Sequence, residues 1–146
     1  MRIFRLILYA LILTSLFFAP LQPMKIANLE PIQAVWIYQA DGRVVLETDT
    51  DDKGSGVTVE EALADMREKS AGIIYLDTAQ YLLVSASAKN QIPSLRAYLK
   101  KTVRLCHWDG QGDISEAVKY ADARKMGLRL REWNEGSKLP ELPPVK

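Results

Sequence analysis

The sequence predicts an α/β domain, with α+β as the alternative, in which helices pack on a single mixed β-sheet. Short β-branched and aromatic runs alternate with segments whose apolar residues recur at helical spacing. Asp41-Gly42 separates the first such runs, as expected for a β-hairpin followed by βα units. Helical segments separate most later runs, which favours parallel strands joined by right-handed crossovers. The predicted element order is ββαβαβαβ.

The first two strands flank the Asp41-Gly42 turn at 34–38 and 43–48. Residues 49–56 are predicted to be an exposed loop. Thr58 and Glu61 form a capping-box pattern that begins the first helix of the domain. Val59, Ala62, Leu63 and Met66 are its apolar side, and Gly72 follows its end at Ser70.

Residues 73–76 and 81–84 both have strand composition, and we expect a turn between them with 81–84 as the principal strand. A second helix is predicted over 90–101, with Pro93 in its first turn. Residues 102–108 are predicted to form a strand.

Asp113, with Glu116 three residues later, predicts the start of a third helix. Its buried side is predicted to contain Ile114, Ala117, Val118 and Ala121. Over 128–133, apolar and charged residues then alternate, which is the pattern expected of an edge strand.

The N-terminal residues predict export. Arg2 and Arg5 precede an uncharged, apolar run over 6–19, the pattern of a secretory signal. We interpret 1–19 as a signal peptide or an N-terminal membrane anchor. The anchor is favoured, because small residues at the usual cleavage positions are hard to place.

The expected location is therefore a membrane-anchored chain with its domain outside the cytoplasm, or a secreted one if the leader is cleaved. The apolar run is shorter than the roughly 20 residues that cross a bilayer. An anchor consequently requires Ile3 and Phe4 to be embedded as well and Arg5 to extend to the interface.

The rest of the chain divides into three parts. Residues 20–31 form a Pro-containing tether, 32–133 a single exported α/β domain, and 134–146 a disordered Pro-rich tail. A chain of 146 residues with such a leader has the size of one domain with one hydrophobic core.

Charge and cysteine content exclude two classes of protein, nucleic-acid-binding proteins and disulfide-stabilised domains. Nineteen basic against 18 acidic residues give a net charge of +1, which does not suit a nucleic-acid partner. Cys106 is the single cysteine, so internal disulfides cannot stabilise the domain.

One stretch partly matches a calcium-binding loop, through Asp49, Asp51, Gly54, Ser55 and Glu60. Lys53 occupies a position that requires an oxygen ligand, and a hairpin strand precedes the stretch instead of a helix. Solvated turn residues explain the pattern better.

Cys106, His107 and Asp109 place a nucleophile, a base and a carboxylate together in sequence. Adjacent strand residues point to opposite faces, so we expect a buried cysteine beside an exposed histidine. Asp77 interrupts an apolar segment, where it caps a turn or approaches Cys106 or His107 from a neighbouring strand. One histidine and one cysteine cannot close a zinc site without carboxylates from elsewhere.

Other features have structural explanations. Basic side chains near the end of the second helix complement the helix dipole, although they could also face anionic lipid or cell-wall polymer; they are Arg96, Lys100, Lys101 and Arg104. Trp36, Trp108 and Trp133 are interpreted as core or strand-edge aromatics. No catalytic, cofactor-binding or metal-ligating residues are assigned, and no cofactor is expected.

Part of the chain resembles the N-terminal domain of the C subunit of bacterial spore germinant receptors, the Ger(x)C family. Gly56-Val57-Thr58-Val59-Glu60-Glu61-Ala62-Leu63 is similar to a glycine-threonine helix start followed by EA and leucine. Leu82-Leu83-Val84-Ser85-Ala86-Ser87-Ala88 is similar to an LLV strand with a small and polar step. The segment 92–100 and Val103-Arg104-Leu105 resemble the next helix and strand.

This resemblance implies a noncatalytic, extracytoplasmic subunit that lies against membrane proteins, and it transfers no ligand residues. We therefore expect an accessory or binding subunit of a membrane-associated assembly, germinant-receptor C-subunit-like, with a membrane protein as partner. Two alternatives stay open. One is a small extracytoplasmic enzyme that uses Asp77, Cys106 or His107. The other is a peptide- or glycan-binding module that uses the hairpin edge or the aromatic side of the last strand.

Overall fold

A computed structural model describes residues 2–18 and 31–145. The strands are β1 (Ala34–Ala40), β2 (Arg43–Thr48), β3 (Lys53–Gly56), β4 (Tyr81–Val84), β5 (Arg104–His107) and β6 (Leu128–Arg129). The α-helices are α1 (Arg2–Phe18), α2 (Val59–Lys69), α3 (Ile92–Leu95) and α4 (Ile114–Ala123). Short 3₁₀ helices cover Leu76–Thr78, Ala86–Gln91 and Leu130–Glu132. The predicted tether lies outside the described residues except for Pro31.

The described strands form one mixed sheet in the order β3-β2-β1-β4-β5-β6. β1, β4 and β5 are mutually parallel neighbours, whereas β2, β3 and β6 pair antiparallel to theirs. The predicted α/β class with a single mixed sheet is confirmed.

Side chains alternate between the two faces of the sheet and so build two apolar layers. One face packs against α2 and α3, through strand residues such as Val35, Leu82 and Leu105. The other packs against α4, through strand residues such as Leu83 and Cys106. The sheet is therefore covered on both sides, as expected for parallel strands.

Local signals in the sequence fix several elements. Asp41 and Gly42 have φ values of 52° and 73°, so the predicted tight hairpin is confirmed. Thr58 Oγ1 accepts from the amide of Glu61 at 3.2 Å, which confirms the predicted helix start. The Glu61 carboxylate accepts from the Val57 amide at 2.8 Å, one residue before the cap itself.

The predicted exposed loop over 49–56 is wrong in its second half, where β3 pairs with β2. A Cβ on Gly54 would overlap the carbonyl oxygen of Ala62 and the backbone of Met66, and Gly56 approaches α2 as closely. These glycines allow α2 to lie directly on β3. The strand therefore exists because of a tertiary contact, which β propensity does not register.

Of three other elements, one is absent and two are shorter than predicted. Residues 73–76 form no strand, since the chain enters a 3₁₀ helix at Leu76–Thr78, whereas the principal strand over 81–84 is confirmed. The helix predicted over 90–101 is α-helical only in α3, with Pro93 in its first turn as expected. The last strand ends at β6, because the chain turns into a 3₁₀ helix and the Leu130 amide donates to the Val103 carbonyl at 2.8 Å.

The disordered tail is also a wrong prediction for residues 134–145. The His107 amide donates to the Pro140 carbonyl at 2.8 Å, and the Leu142 amide donates to the His107 carbonyl at 2.9 Å. Leu142 is only 4% exposed and packs in the layer of α4. Proline content suggested disorder, but Leu142, between Pro140 and Pro143, attaches this segment to the layer of α4.

Candidate functional site

The carboxyl ends of β4 and β5 gather polar groups, at an edge where open α/β sheets commonly bind ligands. His107 is the last residue of β5, and its Nδ1 lies 3.0 Å from the carbonyl oxygen of Val84 at the end of β4. A carbonyl only accepts, so Nδ1 carries the proton. His107 Nε2 faces Asp109 Oδ1 at 3.2 Å.

Glu141 joins this pair from the C-terminal segment. A parallel β-bridge pairs it with His107. The ligand atoms of His107, Asp109 and Glu141 lie within 4.8 Å of one another. Sequence reasoning missed Glu141, because only the nonlocal bridge brings it to the end of β5.

Cys106 lies on the opposite face from this cluster. Its side chain is fully buried in the layer of α4, as expected, whereas the His107 side chain is half-buried at 24% exposure and not exposed as predicted. Burial raises the pKa of the Cys106 thiol to about 12. The thiol therefore stays protonated at neutral pH and cannot act with His107 as a nucleophile and base.

Asp77 lies at the other end of the strands. It is exposed in the 3₁₀ helix before β4 and lines an open depression of about 600 Å³ with Lys100, Arg104 and Asp122. Arg104 begins β5 and His107 ends it. The structure therefore does not bring Asp77 to His107. Asp77 lies in a turn, which is one of the two positions expected for it.

Tyr81, at the start of β4, donates to Asp122 Oδ1 at 3.0 Å. Burial, followed by this hydrogen bond, raises the pKa of Tyr81 to about 12. The pair links β4 to α4 and serves the packing of that face.

The acids of the calcium-like stretch lie apart from one another, and Asp49 has structural partners. Asp49 Oδ1 accepts from the amides of Gln33 and Ala34 at 3.0 and 3.1 Å, which holds the end of β2 against the start of β1. Asp51 adopts a φ of 64° in the turn before β3. Glu60 lies exposed on α2.

Two members of the predicted basic cluster, Arg96 and Arg104, make separate contacts. Arg96 donates to the Trp133 carbonyl at 2.8 Å and lies 5.2 Å from the centre of its ring. Arg104 donates to the Lys125 carbonyl at 2.9 Å. These two cations therefore hold the C-terminal part of the domain in place.

The surfaces considered for peptide or glycan binding are covered. The outer edge of the hairpin, β2, pairs with β3. Trp133 and Trp108 are buried, and the half-buried Trp36 stacks on Tyr38 at 4.1 Å between ring centroids. The tryptophans are core residues or pack beside the core, as the sequence predicts.

Exposed apolar side chains concentrate in α1. Those of the described part of this helix are Ile3, Phe4, Leu6, Ile7, Leu8, Tyr9, Leu11 and Ile12, each at least 49% exposed. Among the helices of the described residues, none combines the length and apolar character required to span a membrane. In the domain, Ile73 and Tyr75 are 62% and 48% exposed.

Comparison with protein-family models, with curated proteins and with solved structures finds no match to this chain.

Proposed function

We propose that this chain is a noncatalytic accessory or binding subunit of a membrane-associated assembly, held at the membrane by α1 with its α/β domain outside the cytoplasm. The observation that carries the proposal is the continuous exposed apolar surface of α1. Contiguous apolar surface of this kind marks contact with lipid or protein.

The charge around α1 supports the direction of insertion. Arg2 and Arg5 lie at its N-terminal end, and no charged residue follows within the helix. Arginine at one end favours the cytoplasmic side for that end, so the domain that follows is placed outside. At 1.5 Å per residue, the helix is about 26 Å long, close to the roughly 30 Å of a hydrocarbon core. Local thinning of the bilayer or additional embedded residues would accommodate the difference.

The domain offers one apolar surface for a partner. Ile73 and Tyr75 are exposed while Ile74 between them is buried, so the two exposed side chains point to the same side of an extended segment. A membrane protein beside the anchor is the partner we propose for this surface. The resemblance to germinant-receptor C subunits suggests the kind of assembly.

The alternative hypothesis of a small enzyme is weakened at one of its candidate catalytic residues. Cys106 is buried with a raised pKa, which opposes a thiolate nucleophile. Asp77 and His107 lie at opposite ends of the parallel strands and cannot act on one bond. The burial of Cys106 and the separation of Asp77 from His107 favour the binding subunit.

Crosslinking in intact membranes tests the proposal. The full chain is crosslinked, solubilised and captured, beside an Ile73→Glu/Tyr75→Glu variant and a Val57→Glu control, since Val57 is 68% exposed elsewhere on the domain. We expect one membrane protein to be enriched with the wild type and the control and lost with the double variant. Repeated recovery of no partner, or equal recovery with the double variant, would contradict the proposal.

A further inference from the structure

We propose that His107, Asp109 and Glu141 form a binding site for a divalent transition-metal ion such as Zn²⁺, which fastens the C-terminal segment to β5. The proposal is independent of the membrane role. Its first basis is convergence: one imidazole nitrogen and two carboxylates offer ligand atoms within 4.8 Å of one another. Ligand atoms about 2 Å from a shared ion lie at most about 4 Å from one another, so ion binding would draw these side chains slightly closer together.

The backbone presents these side chains together. His107 and Asp109 are two residues apart at the end of β5, so an extended chain directs both to one side. The bridge between His107 and Glu141 sets Glu141 beside the histidine. Two backbone hydrogen bonds, at 2.8 and 2.9 Å, flank that bridge and fix its register.

The second basis is the orientation of the imidazole. Nδ1 donates to the Val84 carbonyl at 3.0 Å, so a neutral His107 has its lone pair on Nε2. That lone pair faces Asp109 Oδ1 at 3.2 Å, and two acceptors in contact repel unless they share a proton, as in an ion pair, or a metal ion. Metal-ligating histidines are commonly oriented in this way, with the N–H of the ring nitrogen that does not bind the metal donating to a backbone carbonyl.

The local charge favours a divalent ion. The two carboxylates carry two negative charges, and among the described residues no lysine or arginine forms an ion pair with either of them. Lys89 and Lys138 line the adjoining depression, and Lys89 donates to the Ser137 carbonyl at 3.0 Å. Imidazole selects Zn²⁺ and its neighbours over Mg²⁺ or Ca²⁺.

An ion also has access to the cluster. His107 and Glu141 line an open depression of about 280 Å³, and Asp109 is exposed. Open coordination positions would be filled by water. Because Glu141 belongs to the C-terminal segment and His107 to β5, a bound ion would crosslink the two.

Calorimetric titration of the full chain in a mild nonionic detergent tests the site. The protein carries no polyhistidine tag, is treated with chelator and dialysed, and is titrated with ZnCl₂, with MgCl₂ as the comparison. We expect one Zn²⁺ per chain, no binding of Mg²⁺, and a melting temperature about 10 °C higher at a hundredfold excess over the Kd.

Charge-removing variants identify the ligands. Asp109→Asn and Glu141→Gln should each weaken Zn²⁺ binding at least tenfold. Glu68→Gln on the exposed side of α2 and Cys106→Ala should leave it unchanged, with circular dichroism confirming that every variant is folded. No Zn²⁺ binding by the wild type, or equal binding by the wild type and Glu141→Gln, would overturn the proposal.

Discussion

Replacing Leu142 by alanine tests whether the C-terminal segment belongs to the folded domain. Leu142 is 4% exposed and packs in the layer of α4 with Trp108. The substitution removes three buried carbons, worth about 2.4 kcal/mol at about 0.8 kcal/mol each. The residual cavity brings the loss of unfolding free energy to about 3 kcal/mol.

Urea unfolding of the full chain in nonionic detergent, followed by tryptophan fluorescence, measures this loss. With a urea dependence of about 1.5 kcal/mol per molar, the midpoint should fall by about 2 M. Leu11→Ala is the matched control, because Leu11 is 64% exposed on α1, and its midpoint should stay at the wild-type value. A Leu142→Ala midpoint equal to that of the control would refute the packing of the segment.

Three further outcomes follow from buried groups. Gly54→Ala should lower the unfolding free energy by about 1–3 kcal/mol, because the added Cβ meets the backbone of α2. Gly136→Ala is the control and should leave the unfolding free energy unchanged, because a Cβ has space there. Equal urea midpoints for the two variants would contradict this. Cys106 should react with a thiol reagent only on unfolding, and rapid labelling of the folded chain would revive the enzyme hypothesis. The pKa of Cys106 is raised from 9.0 to about 12, so the unfolded chain loses this proton first and stability should decline above about pH 9. The same decline in Cys106→Ala would show that another group causes it.

Sequence signals located the elements whose chemistry is local. Asp41-Gly42 requires positive φ values, and Thr58 and Asp113 provide side-chain oxygens to the free amides at helix starts. Each of these signals depends on neighbours in the chain. The hairpin and the starts of α2 and α4 are therefore confirmed.

Elements created by distant contacts were missed. β3 contains Gly54 and Gly56, which have low strand propensity but allow the approach of α2. Glu141 belongs to a Pro-rich segment, and only its bridge to His107 brings it beside a histidine. Composition therefore predicted a loop and a disordered tail, where tertiary pairing forms a strand and supplies one of the three residues of the polar cluster.

Flotation with liposomes tests the role of α1 most directly. The full chain is compared with an Ile7→Glu/Leu11→Glu variant and with a Val57→Glu/Ile73→Glu control, which places the same charges on exposed apolar positions of the domain. Two ionised groups at the centre of an inserted helix cost about 5 kcal/mol, enough to abolish membrane partition. We predict that the wild type and the control float with the lipid and the α1 variant does not. A wild type that stays with the soluble fraction, or an α1 variant that floats equally well, would contradict the account.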